Sequence, residues 1–146
     1  MSNRNDILEG IKNCLKNISI DNQFNFNVAD VVRRFVYFDQ INSFPYLMVL
    51  GGDELFDDNL GNSTVSRLQT RIAGYAKNSL EPEKEQCKLI GDVLICLDNP
   101  TYNDQKSHMR PIKIETDEGM LHVAGEGISM FVLTLELTYR FSRDLP

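Results

Sequence analysis

With 146 residues and a mass of 16.7 kDa, the chain has the size of one domain, 1–146, and leaves little room for a second independent core. Apolar residues at 42% and charged residues at 25% are the proportions of a folded globular protein and exclude extended disorder. The formal net charge of -6 opposes binding to a phosphate backbone, which needs clustered Lys and Arg to displace counterions, so no nucleic-acid partner is expected, sequence-specific or otherwise.

The polar start, Met1 to Asn5, lacks the apolar stretch and small-residue cleavage site of a signal peptide. No apolar run approaches the roughly 20 residues a membrane helix needs, so no membrane partner is expected either. Residues 4–18 place Ile7, Leu8, Ile11, Leu15 and Ile18 at three- and four-residue steps, which predicts an amphipathic helix. Asp6 sits near its positive N-terminal end. A polar and aromatic connector follows over 19–27, with Phe24 and Phe26 expected to point inward.

The run VADVVRRFVYF at 28–38 is ambiguous between strand and helix. Its β-branched and aromatic content favours a strand. Phe44-Pro45 breaks the pattern, because the residue before proline is pushed out of the α region. YLMVL at 46–50 then reads as a buried strand. GGDELFDDNLGNST at 51–64 reads as a long acidic loop. Over 65–77 a period of two sets Leu68, Thr70, Ile72, Gly74 and Ala76 on one face and Gln69, Arg71 and Tyr75 on the other. That is the pattern of a half-exposed strand.

Pro82 is expected to open a second helix at its first position, where its missing N–H costs nothing. Glu81, Glu83 and Glu85 complement the dipole there. Cys87, Ile90, Val93, Leu94 and Leu97 form the expected inward stripe, and Asn99-Pro100 ends the helix. A polar loop covers 99–109, a short strand 111–115, and Glu118-Gly119 marks a turn. Finally, Phe131, Leu133, Leu135, Leu137, Tyr139 and Phe141 alternate with Val132, Thr134, Glu136, Thr138 and Arg140. One face of that strand must be buried. The order predicts an α+β fold, a mostly antiparallel sheet with two helices packed on one face.

Few residues gather into a chemical site. Cys14, Cys87 and Cys96 are odd in number, have no C-x-x-C spacing and fall in apolar helical patterns. They read as small hydrophobes in a protein suited to a reducing compartment. GGDEL at 51–55 nearly matches the signature of diguanylate cyclases, but the expected metal- and guanine-binding segments upstream are missing, and a glycine pair before two acids also describes a solvated turn. Asp53, Glu54, Asp57 and Asp58 have oxygen ligands for a hard cation without the EF-hand spacing, so a solvated acidic loop is favoured. His108 and His122 lack zinc spacing. No catalytic residue, metal or cofactor is assigned. Arg33 and Arg34 read as exposed arginines at a strand end, able to meet an acidic surface.

The N-terminal helix, VVRRFVYF, FPYLMVLGGDE, RLQTRIAGYAK, EKEQCKLIGDVLICL and FVLTLELTYRF together resemble the tail terminator (tail completion) proteins of long-tailed bacteriophages. The likeness covers most of 5–141 and lies in architecture and hydrophobic rhythm, with a long polar stretch at 99–127 in place of the family's loop. It implies a virion protein assembled in the host cytoplasm, a homohexameric ring on the last ring of the tail tube that stops tube polymerisation. It also implies a surface for the neck or connector that joins the head. Further copies of the chain, the tail tube protein, the neck or connector protein and a sheath protein are the implied partners, and no enzymatic residue is carried over. Arg33, Arg34, Asp53, Glu54, Phe56, Asp57 and Asp58 are the candidate interface residues, since charged loops on a rigid sheet suit ring-to-ring contacts. Two alternatives stand beside this: another neck or head–tail joining protein, and a small ligand-binding or enzymatic domain using the 51–58 turn.

Overall fold

The computed structural model describes residues 3–57, 63–78, 80–103, 108–117 and 127–142. Helix α1 spans Asn3–Leu15 and buries Ile7, Leu8, Ile11, Cys14 and Leu15, the stripe expected from its spacing. The Asn17 amide donates to the carbonyls of Asn13 (3.1 Å) and Cys14 (3.0 Å), satisfying the helix end. Phe24 and Phe26 then pack half-buried against the main core.

Strand β1 is only Asp30–Val32. The expected strand over 28–38 therefore stops early, because Val36 turns under the sheet instead of continuing along its edge. There the Val36 N–H donates to Met48 Sδ (3.2 Å) and its carbonyl accepts from the Tyr75 hydroxyl (2.9 Å). Strands β2 (Tyr46–Asp57) and β3 (Ser63–Lys77) follow, then helix α2 (Pro82–Asp98), β4 (Met109–Asp117) and β5 (Ile128–Ser142). The five strands form one sheet in the order β1-β2-β3-β5-β4, with β1 parallel to β2 and every other pairing antiparallel. The fold class is α+β, as expected.

Both helices cover one face. Leu47, Val49, Leu68, Ile72, Phe131, Leu133, Leu135 and Leu137 meet α1 and α2 there in the main core. On β5 the alternation holds: Val132, Thr134, Glu136 and Thr138 are half-buried on the opposite face. That opposite face is not simply wet. The 33–45 segment covers its lower half and makes a second core of Val36, Ile41, Met48, Ala73, Tyr75 and Ile128. Tyr75, expected to be exposed, is fully buried because its hydroxyl finds the Val36 carbonyl and its ring lies under that cover.

Helix α2 begins at Pro82 and ends at Asn99 as expected, but its inward stripe is rotated. Gln86, Leu89, Asp92, Val93, Cys96 and Leu97 are buried, and Cys87 is exposed. Two polar residues take the inward places because each has a partner: Gln86 donates to the Met130 carbonyl (2.7 Å), and Asp92 accepts from the Asn25 N–H (3.0 Å) and its amide (2.9 Å). Cys14 and Cys96 meet between the helices with their sulfurs 3.7 Å apart. The neighbouring thiol and burial push Cys96 up, so it stays protonated.

Burial raises the pKa of Asp92, while the Asn25 hydrogen bonds pull the other way. Its contribution to stability is therefore present below about pH 4, the unfolded carboxylate range. That contribution is lost as pH rises through the higher folded value. Asp92→Asn cannot ionise, so the difference in denaturant midpoint should move in the variant's favour between about pH 4 and 7. A constant difference across that range would remove Asp92 as a source of pH dependence.

Candidate interaction site

The strongest departure from the sequence expectation lies at 51–57. The expected acidic loop is the second half of β2, paired with β3 as far as Asp57↔Val65. A bulge between Gly51 and Glu54 breaks the period of two, which is why the run looks like a turn. Gly52 is there for space: a Cβ on it would lie 2.8 Å from the Gln69 carbonyl oxygen, whereas one on Gly51 would press only on the movable tip of the Arg4 side chain at 2.9 Å.

The bulge sends the two acids to different places. Asp53 is exposed. Glu54 turns inward, its side chain only 12% exposed, and is not a solvated loop residue. Its Oε1 accepts from Ser66 Oγ (2.8 Å) and from the Tyr139 hydroxyl, and its Oε2 faces Arg4 Nη1 at 3.5 Å. Arg4 Nη2 also donates to the Gly52 carbonyl (2.9 Å). Burial first, and then the Glu54 carboxylate, push the Tyr139 phenol up, so it remains a donor. Four elements, α1, β2, β3 and β5, are tied at this point. Sequence reasoning missed Arg4, Ser66 and Tyr139, since nothing local marks them as partners.

Beyond Glu54, Leu55 (56%) and Phe56 (60%) are well exposed for apolar residues. Asp57 ends β2, and Asp58 lies outside the described residues, as do His122 and the expected turn at Glu118-Gly119. Arg33 is not a free-standing exposed arginine. Its guanidinium bonds Glu9 (2.8 Å) and Asn5 (3.2 Å) on α1, because β1 ends beside that helix. Arg34 is exposed, next to the edge-to-face pair of Phe35 and Tyr37, whose rings are 5.1 Å apart. Asp53, Leu55 and Phe56 are thus exposed on the upper half of β2, Leu55 and Phe56 on opposite faces of the sheet by register, while Glu54 turns into the fold.

A recess of about 380 Å³ lies elsewhere, lined by Phe38, Asp39, Ile41, Asn42, Phe44, Lys77 and Ile128. Among the described residues, no group of three or more His, Cys, Asp or Glu is placed to hold a metal ion. Nor is any helix among them long and apolar enough to cross a membrane.

The described residues thus form a five-stranded sheet backed by two helices, an α+β protein whose polar groups join its own elements and whose β2 carries exposed apolar and acidic side chains. The sequence matches the family model of the Bacteriophage Tail Tube Terminator Protein over residues 1–144, and the chain belongs to that family. It is a structural protein of the phage tail, a component of the virion that interacts with other tail proteins. A search of curated proteins finds no significant match.

Proposed function

We propose that the protein closes the tail tube as a homohexameric ring, ends tube polymerisation and offers the surface on which the neck or connector joins the head. The whole chain, 1–146, acts as one domain in this role, assembled onto the tube in the host cytoplasm. The tube protein lies on one side of the ring and the connector on the other, with a sheath protein as a further neighbour. The observation that carries this beyond family membership is the upper half of β2. Its exposed Asp53, Leu55 and Phe56 stand on a strand held rigid by the Glu54 network. Asp57 and Asp58 follow in the same segment, and Arg33 and Arg34 are proposed as further contact residues. A partner surface carrying Lys or Arg fits it, and such charges act on encounter rate and orientation.

Electron microscopy of tails carrying the protein should show one terminal ring of six copies. Protein spread along the tube would overturn the terminator role. The double variant Asp53→Lys with Asp57→Lys should keep native-like circular dichroism, because Asp53 is solvent-facing. It should yield overlong tubes or tails that fail to join heads. Normal tail length and normal head joining in that variant would remove this segment from the docking surface.

A further inference from the structure

Two of the three cysteines face each other where the helices meet. Cys14 lies in the last turn of α1 and Cys96 in the last turn of α2, 82 residues further along the chain. Both are fully buried, while Cys87 is exposed. Each thiol also points at the other residue's backbone: Cys96 Sγ donates to the Cys14 carbonyl at 3.2 Å and Cys14 Sγ to the Cys96 carbonyl at 3.6 Å. The sulfurs are 3.7 Å apart, and since a disulfide holds them about 2 Å apart, roughly 1.7 Å separates this contact from a bond. Rotation of the two side chains about their Cα–Cβ bonds is the motion that closes it. A small apolar residue would fill either place in the core as well. What only two cysteines add is the capacity to join.

From this geometry we infer that Cys14 and Cys96 are a latent disulfide latch, open while the surroundings are reducing and closed between α1 and α2 when the protein meets a peroxide. Virion surfaces are among the places where disulfides persist, and a component of the virion leaves the reducing cell with the particle. The step balances. One sulfur takes an oxygen from hydrogen peroxide, becomes a sulfenic acid and releases water. The second thiol then attacks that sulfur: the S–S bond forms, the S–O bond breaks, and the hydroxyl leaves with the thiol proton as a second water. The sulfurs together lose two electrons, and the peroxide oxygens gain them. Burial keeps both thiols from solvent and Cys96 protonated, so closure waits on local opening of the helix pair and is slow.

The bond closes a loop that contains most of the chain, and so restricts the unfolded state heavily. It also fastens the helix that braces the contact strand, because Arg4 of α1 bonds Glu54 and the Gly52 carbonyl of β2. The latch needs no ring, only this chain folded.

Peroxide treatment of the folded Cys87→Ser protein tests it, followed by alkylation in denaturant, tryptic digestion and mass spectrometry. The peptides carrying Cys14 and Cys96 should appear joined within one molecule, two hydrogens lighter than their sum and with no alkyl group. The urea midpoint of the treated protein should fall when dithiothreitol reopens the bond, a step that leaves oxidised methionines as they are. Alkylation of both thiols, oxygen retained on either sulfur without a link, or a link between two molecules would overturn the latch. So would a joined pair whose midpoint does not fall on reduction, because the bond would then strain the helix packing instead of fastening it.

Discussion

Phe131→Ala should lower the stability of the protein by about 3–5 kcal/mol, the scale of deleting a large buried aromatic side chain. Phe131 is fully buried on β5, in the layer where β3 and β5 meet the helices. The space it fills is defined by a missing side chain: Gly74 lies opposite it in register, and a Cβ there would come 2.4 Å from the Phe131 ring and 2.9 Å from Leu47. The ring is thus seated directly on the β3 backbone at Gly74. The cost combines lost transfer free energy with a cavity that stays open. A urea titration measures it as a fall in midpoint. A loss below about 1 kcal/mol would mean that the site collapses around the deletion, as a well-packed interior does not.

Glu54→Ala should cost about 1.5–3 kcal/mol, the scale of a hydrogen bond to a charged group. The deletion removes the carboxylate that accepts from two hydroxyls, those of Ser66, which is fully buried, and Tyr139, which is half-buried. Arg4 suffers less, since its side chain is 39% exposed and can turn to water. Glu54→Gln keeps one acceptor oxygen and should cost less than Glu54→Ala. Neighbouring Asp53→Ala, on the exposed side of the same bulge, should stay within roughly 0.5 kcal/mol. Equal costs for Glu54→Ala and Asp53→Ala would show that the network does not hold the strand. The contrast separates two acids adjacent in sequence into one that builds the fold and one free to meet a partner.

Local pattern was enough for much of this protein. The three- and four-residue spacing of Ile7, Leu8, Ile11 and Leu15 marks the buried face of α1. Pro82 and Asn99 bound α2, and the alternation from Phe131 to Leu137 identifies the buried face of β5. Those signals suffice because apolar burial depends mainly on which residues recur on one face. The order of elements gave the α+β class, and the family resemblance rested on the same rhythm. Tertiary structure alone decided where polar residues go. Gln86 and Asp92 displace Cys87 from the inner face of α2 because Met130 and Asn25 wait for them, 44 and 67 residues away. Tyr75 is buried because the chain 39 residues before it folds back beneath the sheet. The glycines and acids of GGDEL read locally as a turn, yet they form a bulged strand. Glu54 finds Ser66, Arg4 and Tyr139 at separations of 12, 50 and 85 residues, and those partners offset the cost of burying its carboxylate. A buried polar group is stable only with its partner in place, and no window of sequence contains both.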